Sequence, residues 1–156
     1  MAGAKLKDGD ILLISDAVVA AEPADAAAYE VIYNASTQIS NIVTAPDMGY
    51  TITMANHDYL DSTFSSPDKG IAVGSSSDIV FGLDPSGDAG QIILKAAART
   101  SEKGRYVLTI LRLDGTATSV WGPIGGYTVN GGSNGTHNEV TSTFVVAAEP
   151  VDYTPA

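Results

Sequence analysis

The stretch that decides the fold is RYVLTILRL, Arg105–Leu113, which is followed by the dipeptide Asp114-Gly115. Its β-branched and aromatic residues favour a strand, and both of its faces are apolar until Arg112. A strand of this kind is expected in the middle of a sheet rather than at its edge. Asp-Gly is typical of a hairpin turn, so the next extended segment, Thr118–Trp121, is predicted to pair back onto it.

Segments on both sides of this stretch predict further strands. Tyr50–Met54 and Asp78–Leu83 alternate apolar and polar residues, as half-buried strands do. The remaining predicted strands are Asp10–Ala21 with a bend near Asp16, Thr37–Thr44, Tyr127–Val129 and Glu139–Ala148.

One helix is predicted, over Ala89–Ser101. Ser86 or Asp88 can cap its free amide groups, and Gly104 follows its basic last turns. The alanine-rich segment Pro23–Tyr29 is predicted as a short helical turn or a loop. The chain of 156 residues is therefore expected to form one mainly β domain, a two-sheet β-sandwich or partial barrel with one flanking α-helix.

Two segments stand apart from this pattern. Residues 57–77 are rich in turn-forming residues, and a loop of this length inside a small domain is usually functional. We expect it to project, with Tyr59, Leu60, Phe64 and Ile71 available for contacts. Residues 149–156 are expected to be an extended C-terminal tail. The hexapeptide VVAAEP occurs twice, at 18–23 and 145–150, and indicates shared strand-end chemistry rather than duplication.

The charge is acidic and segregated along the chain. Eighteen acidic and eight basic residues give −10, so phosphate binding by simple electrostatics is disfavoured. Ten acids and no Lys or Arg occupy residues 8–68, whereas five of the eight bases lie between Lys95 and Arg112. Such a chain presents acidic faces and one basic stripe, which suits head-to-tail contact between copies. Solubility alone would also explain the acids.

No catalytic or metal site is predicted. The chain has no cysteine, which excludes disulfides, thiolate zinc sites and a cysteine nucleophile. Gly131–Gly135 matches Gly-x-Ser-x-Gly and lies near His137, but a nucleophile elbow requires a preceding strand and a following helix. His57-Asp58 is a lone pair, and Asp84–Asp88 lacks the glutamate of a calcium loop. No cofactor, membrane span or secretory signal is expected.

The order of these elements is similar to that of a known family. The motifs are Pro85 with Gly90-Gln91 and Leu94 at the helix start, Asp114-Gly115-Thr116 followed by Trp121-Gly122, and Glu139-Val140-Thr141-x-Thr143 before Glu149-Pro150. Over about Asp58–Pro150 the chain resembles the major tail tube proteins of long-tailed phages with non-contractile, lambda-like tails.

The resemblance implies a structural protein of the virion tail, assembled in the bacterial cytoplasm, and not an enzyme. Family members form hexameric rings that stack into a tube, the conduit through which double-stranded DNA is ejected. The implied partners are further copies of the chain and the tape measure, tail terminator and tail tip proteins. DNA would pass without specific binding, because an acidic bore does not hold it.

Three sets of residues then acquire expected roles. Residues 57–77 correspond to the family's inter-ring loop, with the candidate contacts Tyr59, Leu60, Phe64, Lys69 and Ile71. The candidate lumen-facing acids are Asp47, Asp58, Asp61, Asp78 and Glu139. The candidate bases at subunit interfaces are Lys95, Arg99, Lys103 and Arg105.

Two other classes of function remain open at the level of sequence. One is another phage structural part, such as a head decoration protein or a tube subunit of a contractile or secretion apparatus. The other is a β-sandwich module that binds carbohydrate. Such a module usually offers exposed aromatic rings, and Trp121, the single tryptophan, is expected in the core instead.

Overall fold

The computed structural model describes residues 10–57, 59–60, 63–83, 87–131 and 138–155. The protein is mainly β, with two helices, and its strands pair antiparallel throughout the described ranges. In chain order the elements are β1 (Ile11–Ser15), α1 (Ala26–Asn34), β2 (Ser36–Gln38), β3 (Ile42–Thr44), β4 (Tyr50–His57), β5 (Ser66–Gly74), β6 (Ser76–Gly82), α2 (Ala89–Ala97), β7 (Tyr106–Leu111), β8 (Ala117–Gly122), β9 (Ile124–Val129), β10 (Glu139–Val145) and β11 (Val151–Tyr153).

Two sheets form the body of the molecule. Sheet A has the order β11-β8-β7-β1-β2, and sheet B has the order β3-β6-β10-β9. β7 lies in the middle of sheet A and pairs with β8 through the predicted Asp114-Gly115 turn. The main core contains fully buried side chains of both sheets, such as Leu108 on β7 and Phe144 on β10. The expected β-sandwich is confirmed.

A second, smaller cluster covers the other face of sheet A, where α1 packs. Tyr29 of α1 contacts Val107 and Trp121, so the tryptophan is buried as predicted, although in this cluster rather than between the sheets. The sequence predicted one helix and left Pro23–Tyr29 undecided between a helical turn and a loop. α1 forms because Asp25 accepts a hydrogen bond from Ala28 N at 2.9 Å and because Tyr29 becomes fully buried.

Three other sequence predictions need correction. α2 ends at Ala97 rather than Ser101, because the next residues turn to bring the chain into β7. The segment 37–44 is not one strand: β2 belongs to sheet A and β3 to sheet B, and Asn41, between them, has a positive φ of 61° that interrupts the extended backbone. The strand expected over 10–21 ends at Ser15, next to the predicted bend.

Residues 57–77, predicted as a loop, contain strand β5, which pairs with β4 in a two-stranded hairpin. Alternation does not reveal β5, since neither of its faces is buried. For the same reason β4 is not half-buried as predicted: Tyr50 is 42% and Met54 is 53% exposed. The C-terminal tail, residues 149–156, contributes β11 to the edge of sheet A.

Candidate assembly surfaces

The β4–β5 hairpin, residues 50–74 within the described ranges, projects from the sandwich. The extensive contacts of its two strands are with each other, and neither strand belongs to sheet A or sheet B. The five predicted contact residues all lie on it and are all exposed. Their exposed fractions are 59% for Tyr59, 110% for Leu60, 84% for Phe64 and 83% for Ile71, and Lys69 is also exposed.

The base of the hairpin is fixed by a close approach of two backbones. β5 and β6 are separated only by Ser75, whose carbonyl oxygen accepts a hydrogen bond from Val146 N at 2.9 Å. At the adjacent Gly74, a Cβ atom would lie 1.7 Å from Val146 O. Only glycine fits there, and its presence lets one long strand leave sheet B and become half of the hairpin.

A groove of about 770 Å³ opens beside this base, between one face of the hairpin and the segment 146–149. Its lining includes Ile52, Ala72 and Val146 together with two carboxylates, Glu22 and Glu149. Tyr50 OH donates a hydrogen bond to Glu149 Oε1 at 3.2 Å, and this bond raises the pKa of Tyr50. The two glutamates are the equivalent residues of the repeated VVAAEP peptides, so the fold brings both copies to one groove.

The outward face of sheet B is acidic and rich in threonine. Cross-strand pairing places Asp78 beside Thr143 and Glu139 beside Gly82, on the face opposite to the buried Ile79 and its neighbours. Thr143 Oγ1 donates a hydrogen bond to Asp78 Oδ1 at 3.2 Å. The four strands of sheet B contain no Lys or Arg. We call this face the acidic wall.

The acidic wall therefore contains two of the five predicted lumen acids. Asp47 is exposed in the connection between β3 and β4, where its backbone N–H donates to Ser77 Oγ at 2.7 Å. It is not part of a strand ladder. Asp58 and Asp61 lie outside the described residues, as do His137 and Ser133 of the glycine-rich loop.

The predicted interface bases lie away from the acidic wall. Lys95 is exposed on α2, with Nζ 5.5 Å from the centre of the Tyr127 ring, and Arg99 is exposed just after the helix. Lys103 and Arg105 line a cleft of about 170 Å³ together with Trp121 and residues 18–20. We call this the basic cleft.

Several contacts hold the residues of the basic cleft together. The guanidinium carbon of Arg105 lies 4.7 Å from the centre of the Trp121 ring, a cation–π geometry. Trp121 Nε1 donates to Val19 O at 2.9 Å, and Glu102 Oε1 accepts from Gly104 N at 2.8 Å. Across the described ranges, neither Lys103 nor Arg105 forms a salt bridge. The sequence suggested these bases for a contact surface, but their convergence on Trp121 depends on the fold.

No group of three or more potential metal-ligating side chains comes together in the part of the chain that the structure describes. Neither described helix is long and apolar enough to cross a membrane. The ion pair between His57 Nε2 and Asp68 Oδ2, 3.1 Å apart, joins the two exposed strands of the hairpin.

Comparison with known proteins shows a loose structural resemblance. No family model matches the sequence, and no curated protein matches it. Among solved structures, the chain is similar to the cryo-EM structure of the anti-feeding prophage cap, described as a tube-terminating cap. The sequence identity is 14% and the TM-score is 0.49, over 92% of this chain and 87% of that one. A resemblance this loose identifies neither a family nor a function.

Proposed function

We propose that this chain is a structural subunit of a phage-type tail tube, assembled as stacked hexameric rings around a bore that conducts double-stranded DNA. The proposal combines the order of sequence motifs with one structural observation, the projecting apolar hairpin. In this role the chain has no enzymatic activity and requires no cofactor. Its place is the tail of the virion.

The hairpin is the observation that carries the proposal. An isolated two-stranded hairpin is only marginally stable in water. This one exposes Leu60, Ile71 and other apolar side chains well beyond the sandwich. Complete burial of each leucine or isoleucine side chain is worth about 1.5–3 kcal/mol, so several buried together can offset the cost of association. The hairpin therefore suits a subunit that gains its full stability in contact with other copies.

The open edges of the sheets favour the same kind of assembly. β3 and β9 are the outer strands of sheet B, and each has one unpaired edge among the described strands. Exposed edges promote uncontrolled association unless something covers them. Ring closure would cover the edges by pairing neighbouring copies, and cyclic symmetry would end growth in the plane. Stacking has no such limit, which leaves tube length to a separate tape measure protein and to terminator and tip proteins.

The acidic wall gives the bore its chemistry in this proposal. DNA is retained by basic surfaces because Lys and Arg release its counterions. A wall with Asp78 and Glu139 and without Lys or Arg offers no such retention. With sheet B lining the bore, the genome would slide past a surface of carboxylates and hydroxyl groups.

Negative-stain electron microscopy of the purified protein over a concentration series tests the proposal. We expect hollow tubes with a regular axial repeat. The variant Ile71→Asp should remain monomeric, because the side chain is 83% exposed in the monomer and the change affects only contacts between copies. Val31→Asp on α1, at a residue that is 70% exposed, is the matched control and should form tubes.

Two other results would contradict the proposal of a tail tube. Closed single rings that never stack would favour a decoration or cap role. A monomer at all concentrations, even with added preformed tail tips, would favour a binding module, and a glycan array would then be the next measurement.

A further inference from the structure

We infer that the basic cleft is the receptor for the hairpin turn of another copy of this chain, so that each subunit carries both halves of a repeating contact. The inference rests on the proposed function and extends it by naming the surface on which the hairpin lands. We use the name hairpin turn for the sequence that connects β4 to β5, residues 58–65, of which Tyr59 and Leu60 are among the described residues.

Charge complementarity links the two surfaces. The turn sequence, DYLDSTFS, contains two aspartates and no base. The basic cleft offers Lys103 and Arg105, neither of which has a carboxylate partner in the described part of the chain. In a chain of net charge −10, two adjacent cations without an acidic partner are a specific attraction for an acidic segment.

Apolar complementarity supports the same pairing. Leu60 is fully exposed and Tyr59 is 59% exposed. The cleft is bounded by the Trp121 ring and by the 41% exposed Val18. Its volume of about 170 Å³ is similar to that of protein cavities of ~150 Å³ that hold a benzene molecule. One of these two side chains, Tyr59 or Leu60, would fill it.

The hairpin turn lies too far from the basic cleft of its own chain to fill it, so the turn in the cleft belongs to another copy. The cleft lies near the base of the hairpin, because Trp121 O accepts a hydrogen bond from Ala147 N, next to the residue that contacts Gly74. The hairpin turn lies at the far end of the eight-residue strand β4, about 27 Å away at the usual rise per residue. A contact between the turn of one copy and the cleft of the next is head-to-tail; such contacts form a closed ring where the rotation between copies closes and an open stack where it does not.

Cysteine cross-linking tests the contact directly, in a chain that has no native cysteine. With Leu60→Cys and Val18→Cys in one chain, oxidation should give a ladder of disulfide-linked multimers, because a disulfide requires the two Cα atoms to be about 4.4–6.8 Å apart. The matched control pairs Leu60→Cys with Leu113→Cys, which is 75% exposed at the opposite end of β7 from Arg105. The control should remain unlinked.

Charge reversal provides a second measurement. Lys103→Glu with Arg105→Glu should weaken association by about tenfold or more. Adding Asp58→Lys and Asp61→Lys to the same chain should restore it, since the signs are exchanged on both surfaces. Lys95→Glu with Arg99→Glu makes the same change in charge at the two candidate interface bases outside the cleft. We expect a smaller loss of association there, and an equal loss would contradict a specific role of the cleft.

The outcomes separate this inference from the proposed function. The inference would be wrong if the protein formed tubes but the Leu60→Cys, Val18→Cys variant gave no disulfide-linked ladder. It would also be wrong if tubes formed but the fourfold charge variant did not restore association. The tail-tube proposal would hold in both cases. A ladder and rescue without tubes would support the contact and overturn the tail-tube function. Absence of both tubes and ladder would overturn both.

Discussion

Asp88 binds Ser40 through both of its carboxylate oxygens. Oδ1 accepts a hydrogen bond from Ser40 Oγ at 2.8 Å, and Oδ2 accepts from Ser40 N at 3.2 Å. Oδ2 also accepts from Gln91 N at 3.2 Å and so caps α2. Gln91 Nε2 in turn donates to the carbonyl oxygens of Ser40 and Gly82, both at 3.0 Å. This network attaches the helix to the segment that crosses between the two sheets.

Asp88→Ala should therefore destabilise the protein by about 2–3 kcal/mol, more than the loss of a simple helix cap. The backbone amide groups of Ser40 and Gln91 would lose their acceptor at the same time. Urea denaturation gives the free energy of unfolding. Asp25→Ala removes a cap with one hydrogen bond from α1 and should cost about 1 kcal/mol. Equal losses in the two variants would show that the network adds nothing to the cap.

Gly74→Ala should strain the base of the hairpin, because its Cβ would lie 1.7 Å from Val146 O. The backbones must separate, and we expect a loss of about 1–3 kcal/mol, in the range of overpacked sites. Gly49→Ala is the control, since a Cβ there meets nothing within 4 Å. It should be neutral or slightly stabilising. Thermal unfolding of the two variants makes the comparison, and an unaffected Gly74→Ala would mean that the two backbone segments separate without cost.

Tyr29→Phe should be neutral or stabilise the protein by up to about 1 kcal/mol. Its hydroxyl group is buried and has no hydrogen-bond partner among the described residues, so removing it removes an unsatisfied polar group. Tyr153→Phe is the matched comparison: its hydroxyl lies 2.7 Å from Ser119 Oγ, in a chain of hydroxyl groups that continues to Thr109. We expect that variant to lose about 1 kcal/mol. Urea denaturation at neutral pH measures both.

The same tyrosine predicts how stability changes at alkaline pH. Burial, with a smaller contribution from Glu22, raises the pKa of Tyr29 from 10.0 to about 12. The folded state therefore keeps a proton that the unfolded state releases, and stability should fall as the pH rises from 10 towards 12. Tyr29→Phe should make this decline shallower. An identical decline in the wild-type protein and the variant would mean that other groups cause the loss of stability. Tyr153 is one such group, because burial also raises its pKa.

Reversing the charge of the acidic wall should make assembled tubes retain DNA. With Asp78→Lys and Glu139→Lys, Lys side chains would replace carboxylates and bind phosphates through counterion release, with an affinity that falls steeply with added salt. Binding of short duplex DNA to tubes, measured at several salt concentrations, tests this. Asp78→Asn with Glu139→Gln removes the same carboxylates without adding bases and should retain much less DNA. No retention by the lysine variant would contradict an inward-facing wall.

The local pattern of apolar and polar residues was enough to predict the elements that bury one face or lie at the centre of a sheet. Arg105–Leu113, with its Asp-Gly turn, predicted β7 and β8, and the alternation of Asp78–Leu83 predicted β6 with Ile79 and Phe81 inward. Asp88 and the helical spacing after it predicted the start of α2. β6 and α2 each bury one face, which leaves a period of apolar residues in the sequence. β7 is buried on both faces, which leaves a continuous apolar run.

Only the tertiary structure decided the elements whose environment is not periodic. β5 has two exposed faces, α1 depends on the burial of Tyr29 against Trp121, and residues 37–44 divide between sheets at Asn41. The candidate assembly surfaces also depend on tertiary contacts. The sequence by itself determined an acidic β-sandwich with its bases gathered in one stretch. Long-range packing decided that Arg105 meets Trp121 and that Glu22 meets the same groove as Glu149, because contacts between residues far apart in the chain leave no local signal.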